Sequence, residues 1–204
     1  MVESYQGTKF KTEIIGEEVP NNPRLEELKH WCQIFHKCDL TPQYEGGSYG
    51  NLSFRLQDDE DQFIITSSQI GFSDWLQDYC FTRVSSCDLR KRIVYAYGVK
   101  SPSSESMLHY AIYHQRNDVH AIFHGHSKKI LSCVKKLKIP ETTQEEPYGT
   151  AELVQRVLEI LDNKSFLIMK NHGFISLGST MEETGKLTLQ IYKKCLQITS
   201  SRAV

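Results

Sequence analysis

Between Pro102 and His126 the chain changes its hydrophobic period once, and that change constrains the fold more tightly than any other feature. From Ser103 to about Arg116, the residues Met107, Leu108, Ala111 and Ile112 form an apolar stripe at helical spacing, behind a proline that marks a helix start. From Asp118 to His124 the pattern alternates, as in a strand. A helix running directly into a strand needs a sheet beside it and a helix layer over that sheet.

The flanking segments carry the same two signals. Arg24 to Asp39 spaces Leu25, Leu28, Trp31, Cys32 and Phe35 as an amphipathic helix, and Thr41 to Gly50, with Pro42 and three glycines, reads as a loop. Leu52 to Leu56 and Phe63 to Thr66 suggest a hairpin around the acidic turn Asp58 to Asp61, with further strands at Phe81 to Ser85 and Ile93 to Tyr97. Beyond His126, helices are expected at Lys128 to Leu137 and Ala151 to Leu161. A strand pair, Phe166 to Met169 and Phe174 to Leu177, encloses Asn171, His172 and Gly173, and a last helix runs from Met181 to about Ile198. The expectation is an α/β fold: one domain over 1–204 behind a polar leader, 1–23, built as a three-layer α/β/α sandwich on a mixed, largely antiparallel sheet.

Composition narrows the function classes. Across 204 residues, 24 Lys+Arg face 25 Asp+Glu, a net charge of −1 that argues against binding a nucleic-acid backbone. The first residues lack a basic, apolar start, and no run is long and apolar enough to span a membrane. The six cysteines show no C-x-x-C pair and read as reduced thiols, so a cytoplasmic setting is expected.

Three of the eight histidines lie between Asp118 and His126. In His124-Gly125-His126, residues two apart on a strand share a face with Cα atoms about 6.6 Å apart, so both imidazoles can meet one ion. His172, in a tight turn between strands, is the best third ligand, and three nitrogens would leave a position open for substrate. Histidines also occupy turns simply as polar residues, so this pattern alone leaves both readings standing. His30, His36, His114 and His120 are expected to be structural or solvent-facing. Glu105, near the start of its helix, has an ordinary account as a first-turn carboxylate after a serine cap, with His109 one turn on. Antiparallel packing of that helix on the strand would instead return Glu105 to the histidines.

Taken together, G-N-L-S-F-R (Gly50 to Arg55), I-T-S-S-Q (Ile65 to Gln69), P-S-S-E (Pro102 to Glu105), H-G-H-S (His124 to Ser127) and N-H-G (Asn171 to Gly173) resemble the class II aldolase/adducin family in order and spacing. The resemblance implies zinc, or another first-row divalent ion, on His124, His126 and His172. It makes Glu105 the acid/base, able also to coordinate the ion. It implies a sugar-phosphate substrate gripped by Gly50, Asn51, Ser67, Ser68, Ser103 and Ser104, and homotetramers with sites near subunit boundaries.

Departures from the pattern are also visible. Gln69 stands near a usual glycine. No tyrosine among Cys133 to Ile139 matches the one that protonates the leaving aldehyde, and the longer C-terminal tail has no counterpart in a chain stopping at Val204. Tyr113, Glu145, Glu146 and Tyr148 stay unassigned. The expected activity is reversible retro-aldol cleavage of a ketose phosphate to dihydroxyacetone phosphate, or a related ketone, and an aldehyde. Pentulose-phosphate 4-epimerase or dehydratase chemistry on the same site is the alternative, and adducin-like protein assembly the non-enzymatic one.

Overall fold

A computed structural model describes residues 7–58, 60–72 and 75–200. Its centre is an eight-stranded sheet made of β1 (Lys11–Gly16), β4 (Asn51–Arg55), β5 (Phe63–Thr66), β6 (Phe81–Asp88), β7 (Ile93–Tyr97), β8 (Ala121–Gly125), β9 (Phe166–Met169) and β10 (Gly173–Gly178). The order is β1-β7-β6-β5-β4-β8-β10-β9. Only β1 with β7 is parallel; the other neighbours are antiparallel.

Alternation along the strands feeds two cores. Leu52, Phe54, Ala121, Phe123 and Phe174 face one side, under α1 (Leu25–Lys37), α3 (Lys128–Leu137) and α5 (Met181–Ser200). Ile65, Ile122, Ile175 and Leu177 face the other, under α2 (Ser106–Gln115) and α4 (Ala151–Leu161). This is the expected α/β/α sandwich, its mixed sheet largely antiparallel. Phe35 of α1 stands edge-on to Phe123, with ring centroids 5.4 Å apart, so the helix sits directly over the histidine-bearing strand. Below the sheet, the fully buried Arg55 donates to the carbonyls of Val119, Tyr113 and Arg116 and so ties β4 to the end of α2 and the entry to β8. Among the described residues no helix is long and apolar enough to cross a membrane.

Four local expectations change. Part of the polar leader forms the edge strand β1, with Ile14 and Ile15 41% and 47% exposed. Main-chain pairing with β7 holds it, and an edge strand without a buried face leaves no alternating signature. The loop Thr41 to Gly50 contains a two-stranded ribbon, β2 (Gln43–Tyr44) with β3 (Gly47–Ser48). Regular helix begins at Ser106 rather than Ser103, and β8 begins at Ala121 rather than Asp118. Asp59, within the predicted acidic turn, residues 1–6 of the leader and the terminal 201–204 lie outside the described residues.

Candidate metal centre

The site lies at the end of β8, where three separate pieces of chain meet. His124 sits within β8, opposite Asn51 of β4 on one side and Ile175 of β10 on the other, so its backbone is fixed by ladders on both flanks. His126 follows just past the strand, its main-chain N–H bonded to the Leu40 carbonyl at 2.7 Å. His172 comes from the β9–β10 turn, where its N–H reaches the Met169 carbonyl at 3.0 Å and Asn171 adopts a left-handed φ of 57°. The glycine that follows is required by space: a Cβ on Gly173 would lie 2.5 Å from the Gly125 carbonyl oxygen and 2.7 Å from the His124 ring. Glu105 occupies the N-cap of α2, but its side chain makes no cap bond. It turns toward the histidines and is 3% exposed.

The polar atoms crowd one point. His124 Nε2 is 3.0 Å from His126 Nε2 and 3.0 Å from Glu105 Oε2, while His172 Nε2 is 3.3 Å from Glu105 Oε1. One ligand atom from each histidine lies within 4.8 Å of the others. His124 Nδ1 is 2.8 Å from the Phe174 carbonyl, which can only accept, so Nδ1 carries a proton and Nε2 is the nitrogen that faces the cluster. A bare lone pair 3.0 Å from a carboxylate oxygen is repulsive unless a proton or cation lies between them. Ligand atoms around a tetrahedral ion at 2.0–2.1 Å are themselves about 3.3 Å apart. The donor set therefore fits a small divalent cation held by His124, His126 and His172, with Glu105 beside it.

Electrostatics agree with that chemistry. Burial opposes ionisation of Glu105, but the charges and hydrogen bonds of His124 and His172 outweigh it and hold the carboxyl well below its usual range. Burial, reinforced by the neighbouring His124 and His172, pushes His126 well below the ordinary histidine range. Asn51 Nδ2 donates to Glu105 Oε2 at 3.0 Å, which orients both side chains, while Asn51 Oδ1 is buried without a hydrogen-bond partner among the described residues. His109, one turn along α2, is fully buried against Ser53 Oγ at 2.8 Å, and burial lowers it to about 3.

All six residues expected to grip a phosphate line the same cavity of about 590 Å³ as Glu105 and the three histidines. Their donors are not equally available. The amides of Ser67, Ser68 and Ser103 already donate to the carbonyls of Cys80, Ser101 and Thr66. Ser68 Oγ donates to Pro102 O; Thr82 Oγ1 donates to Lys100 O and so accepts from Ser67 Oγ. No protein acceptor takes up the hydroxyl protons of Ser103 and Ser104 among the described residues, so these two point to an anion site most directly. Gln69 adopts a φ of 55°, a left-handed conformation natural for the glycine expected near that place.

Several cavity residues carried no motif. Tyr49 packs on His126 with ring centroids 5.3 Å apart, and Tyr44 lies behind it at 4.8 Å, its ring tilted by 49°. Tyr192 and Leu131 line the wall from the α5 and α3 side. Of the unassigned residues, Glu145, Glu146 and Tyr148 line the cavity, whereas Tyr113 is buried below the sheet against Ser53. His114 pairs with Asp61 at 2.6 Å, and His120 contacts the Asn117 carbonyl at 3.1 Å.

A sandwich with imidazoles and a carboxylate gathered at the ends of its central strands defines a class of proteins, and sequence comparison names it. The profile of the class II aldolase and adducin N-terminal domain matches residues 29–198, and the chain belongs to that family. It is 30% identical over 171 residues to the L-fuculose phosphate aldolase of Methanococcus vannielii, covering 77% of this chain and 87% of that protein. It is 28% identical over 174 residues to the 5-methylthioribulose-1-phosphate/5-deoxyribulose-1-phosphate aldolase of Rhodospirillum rubrum, covering 74% of each. A solved structure of an L-fuculose 1-phosphate aldolase superposes with a TM-score of 0.70 at 20% identity, covering 91% of this chain and 88% of that one, a likeness of fold.

Proposed function

We propose that this protein is a zinc-dependent aldehyde-lyase that reversibly cleaves a ketose phosphate into dihydroxyacetone phosphate, or a related ketone, and an aldehyde. The observation that carries the reading is the meeting of His124, His126, His172 and Glu105, drawn from three separate chain segments, in one largely buried cluster. Relatives that act as sugar-phosphate aldolases support the substrate class. A divalent ion held by the three imidazoles would act as a Lewis acid toward the substrate carbonyl and the oxyanion that develops from it.

The chain's own groups supply the rest. Glu105 moves the proton at the carbon that becomes the enediolate; its ionised form is the base, and Asn51 Nδ2 fixes the direction in which Oε2 points. Asn51 Oδ1 offers a buried acceptor for a substrate hydroxyl. Ser103 and Ser104 supply hydroxyl donors to the phosphate, with Gly50, Asn51, Ser67 and Ser68 shaping its pocket. Ser67 directly follows β5 and His124 lies on β8, two strands apart, so about 9.5 Å separates the two regions. That span suits a substrate with its phosphate at one end and its carbonyl near the imidazoles. A homotetramer, on the strength of the family resemblance, and a cytoplasmic setting, on the strength of cysteines without a disulfide pattern, belong to the same proposal.

The test is metal quantification on the purified protein, followed by condensation of dihydroxyacetone phosphate with a panel of aldehydes, with and without chelator. Aldol products that vanish on chelation support the reading. Bound zinc with no product on any aldehyde removes the lyase assignment. Product analysis with ketose 1-phosphates separates cleavage from epimerisation and dehydration. Protein that neither contains nor binds a divalent metal shifts the balance to protein assembly.

A further inference from the structure

Residues 140–150, between α3 and α4, form a strap that touches both long-range components of the cluster. At one end it extends the sheet beyond β9: the Ile168 amide donates to Pro140 O at 2.8 Å, and the Thr142 amide to Ile168 O at 2.9 Å. The Thr142 hydroxyl, on a side chain 2% exposed, then accepts from the Lys170 amide at 2.9 Å, and Lys170 Nζ reaches the Thr143 carbonyl at 3.1 Å. Glu145 follows, its Oε2 accepting from Asn171 Nδ2 at 2.8 Å. The two residues preceding His172 are thus bonded to the strap through main chain and side chain. At the other end, Gly149 has a φ of 66°, and a Cβ there would lie 2.7 Å from the Ser104 carbonyl, so the strap is seated against the turn that presents Glu105.

We propose that Glu145 is a positioning residue which, through Asn171, holds the His172 turn in its ligating place, and that the strap keeps this turn in register with Glu105. The inference rests on the metal-centre reading above. His124 and His126 have β8 and the Leu40 carbonyl to fix them, whereas His172 sits on a turn whose Asn171 holds a left-handed conformation. The His172 amide and the pairing of Met169 with Gly173 hold this turn from within, and the strap adds contacts from outside at residues 170 and 171.

The experiment is a zinc titration of the full-length protein in competition with a chromophoric chelator, joined to amide hydrogen exchange of the metal-free protein. Glu145→Ala removes one exposed hydrogen bond to a charged group next to the ligand and should weaken zinc binding about 5–10-fold, the low end for such a bond. Glu145→Gln retains an acceptor and should stay within about threefold of the native protein. Asn171→Gly keeps the turn conformation but loses the bond, so it should match Glu145→Ala, and the double variant should be no weaker than either. In metal-free Glu145→Ala, amides 170–173 should exchange faster while β8 is unchanged. Zinc affinity of Glu145→Ala within about twofold of native, a Gln variant as weak as Ala, or additive losses would each overturn the proposal. If the native protein binds no zinc, the metal reading fails; unchanged exchange at 170–173 would then overturn the strap's role separately.

Discussion

Asn51 and His124 face each other across neighbouring strands, and both side chains reach the same oxygen, Glu105 Oε2, at 3.0 Å. One rung of the ladder between β4 and β8 therefore sets the direction of the carboxylate from two sides. Replacing Asn51 with Ala should lower kcat/KM about 10–100-fold, the effect of losing one hydrogen bond to a charged group, with native thermal stability largely retained. Steady-state kinetics beside a melting curve checks this; an unchanged kcat/KM would remove Asn51 from the site.

Glu105→Gln keeps the shape of the side chain and its contact with Asn51 but removes the base. Turnover should fall about 10²–10⁴-fold. Zinc content, measured on the same preparation by elemental analysis, should stay close to that of the native protein because three imidazoles remain. Retained activity would dismiss Glu105 as the proton carrier.

Metal removal should lower stability as well as activity, because an ion bound only by the folded state stabilises it by mass action. At a free concentration one hundred times its dissociation constant, the gain is about 2.7 kcal/mol. Chelated protein should therefore melt lower, and the melting point should rise with added zinc. Substituting His172 with Ala should abolish that rise; a variant that still responds would locate zinc binding elsewhere.

His109 predicts an acid limb to stability. Its folded value, lowered by burial to about 3, lies below the 6.5 of an exposed imidazole. Between these values the unfolded chain takes up the proton first, so the contribution is complete above about pH 6.5 and is lost as pH falls toward 3. The slope reaches at most about 1.4 kcal/mol per pH unit. Urea denaturation from pH 7 to 4 should be less steep in pH for His109→Gln than for the native chain, and identical slopes would contradict the assignment.

The parts of this structure written in local spacing were legible in the sequence, and the parts made by main-chain bonds were not. Phe123 and Ile122 announce their opposite faces by alternation, and Leu25, Leu28 and Phe35 announce a helix face by period. The pairing of His124 with His126 follows from two-residue spacing, and the Asn-His-Gly turn from its residue types. The leader hid β1 because Ile14 and Ile15 bury no face. Glu105 was ambiguous because a carboxylate at a helix start satisfies the helix dipole equally well; only the packing of α2 on the sheet, fastened by Arg55, turns it inward. The strap was unreadable because Thr142 and Pro140 act through backbone amides and carbonyls that any sequence possesses. The serine hydroxyls were legible as a group, but which protons were already spent depended on Thr82 and Pro102.

The three imidazoles are anchored unequally. One lies within β8 and one just past its end, where neighbouring strands flank the chain on both sides; the third stands on the β9–β10 turn, toward the side of the sheet where the strap at residues 140–142 lies beyond β9. An ion held by these three would therefore be expected to leave in order, released first by His172, with a residence time set by local opening of that hairpin rather than by unfolding of the whole molecule.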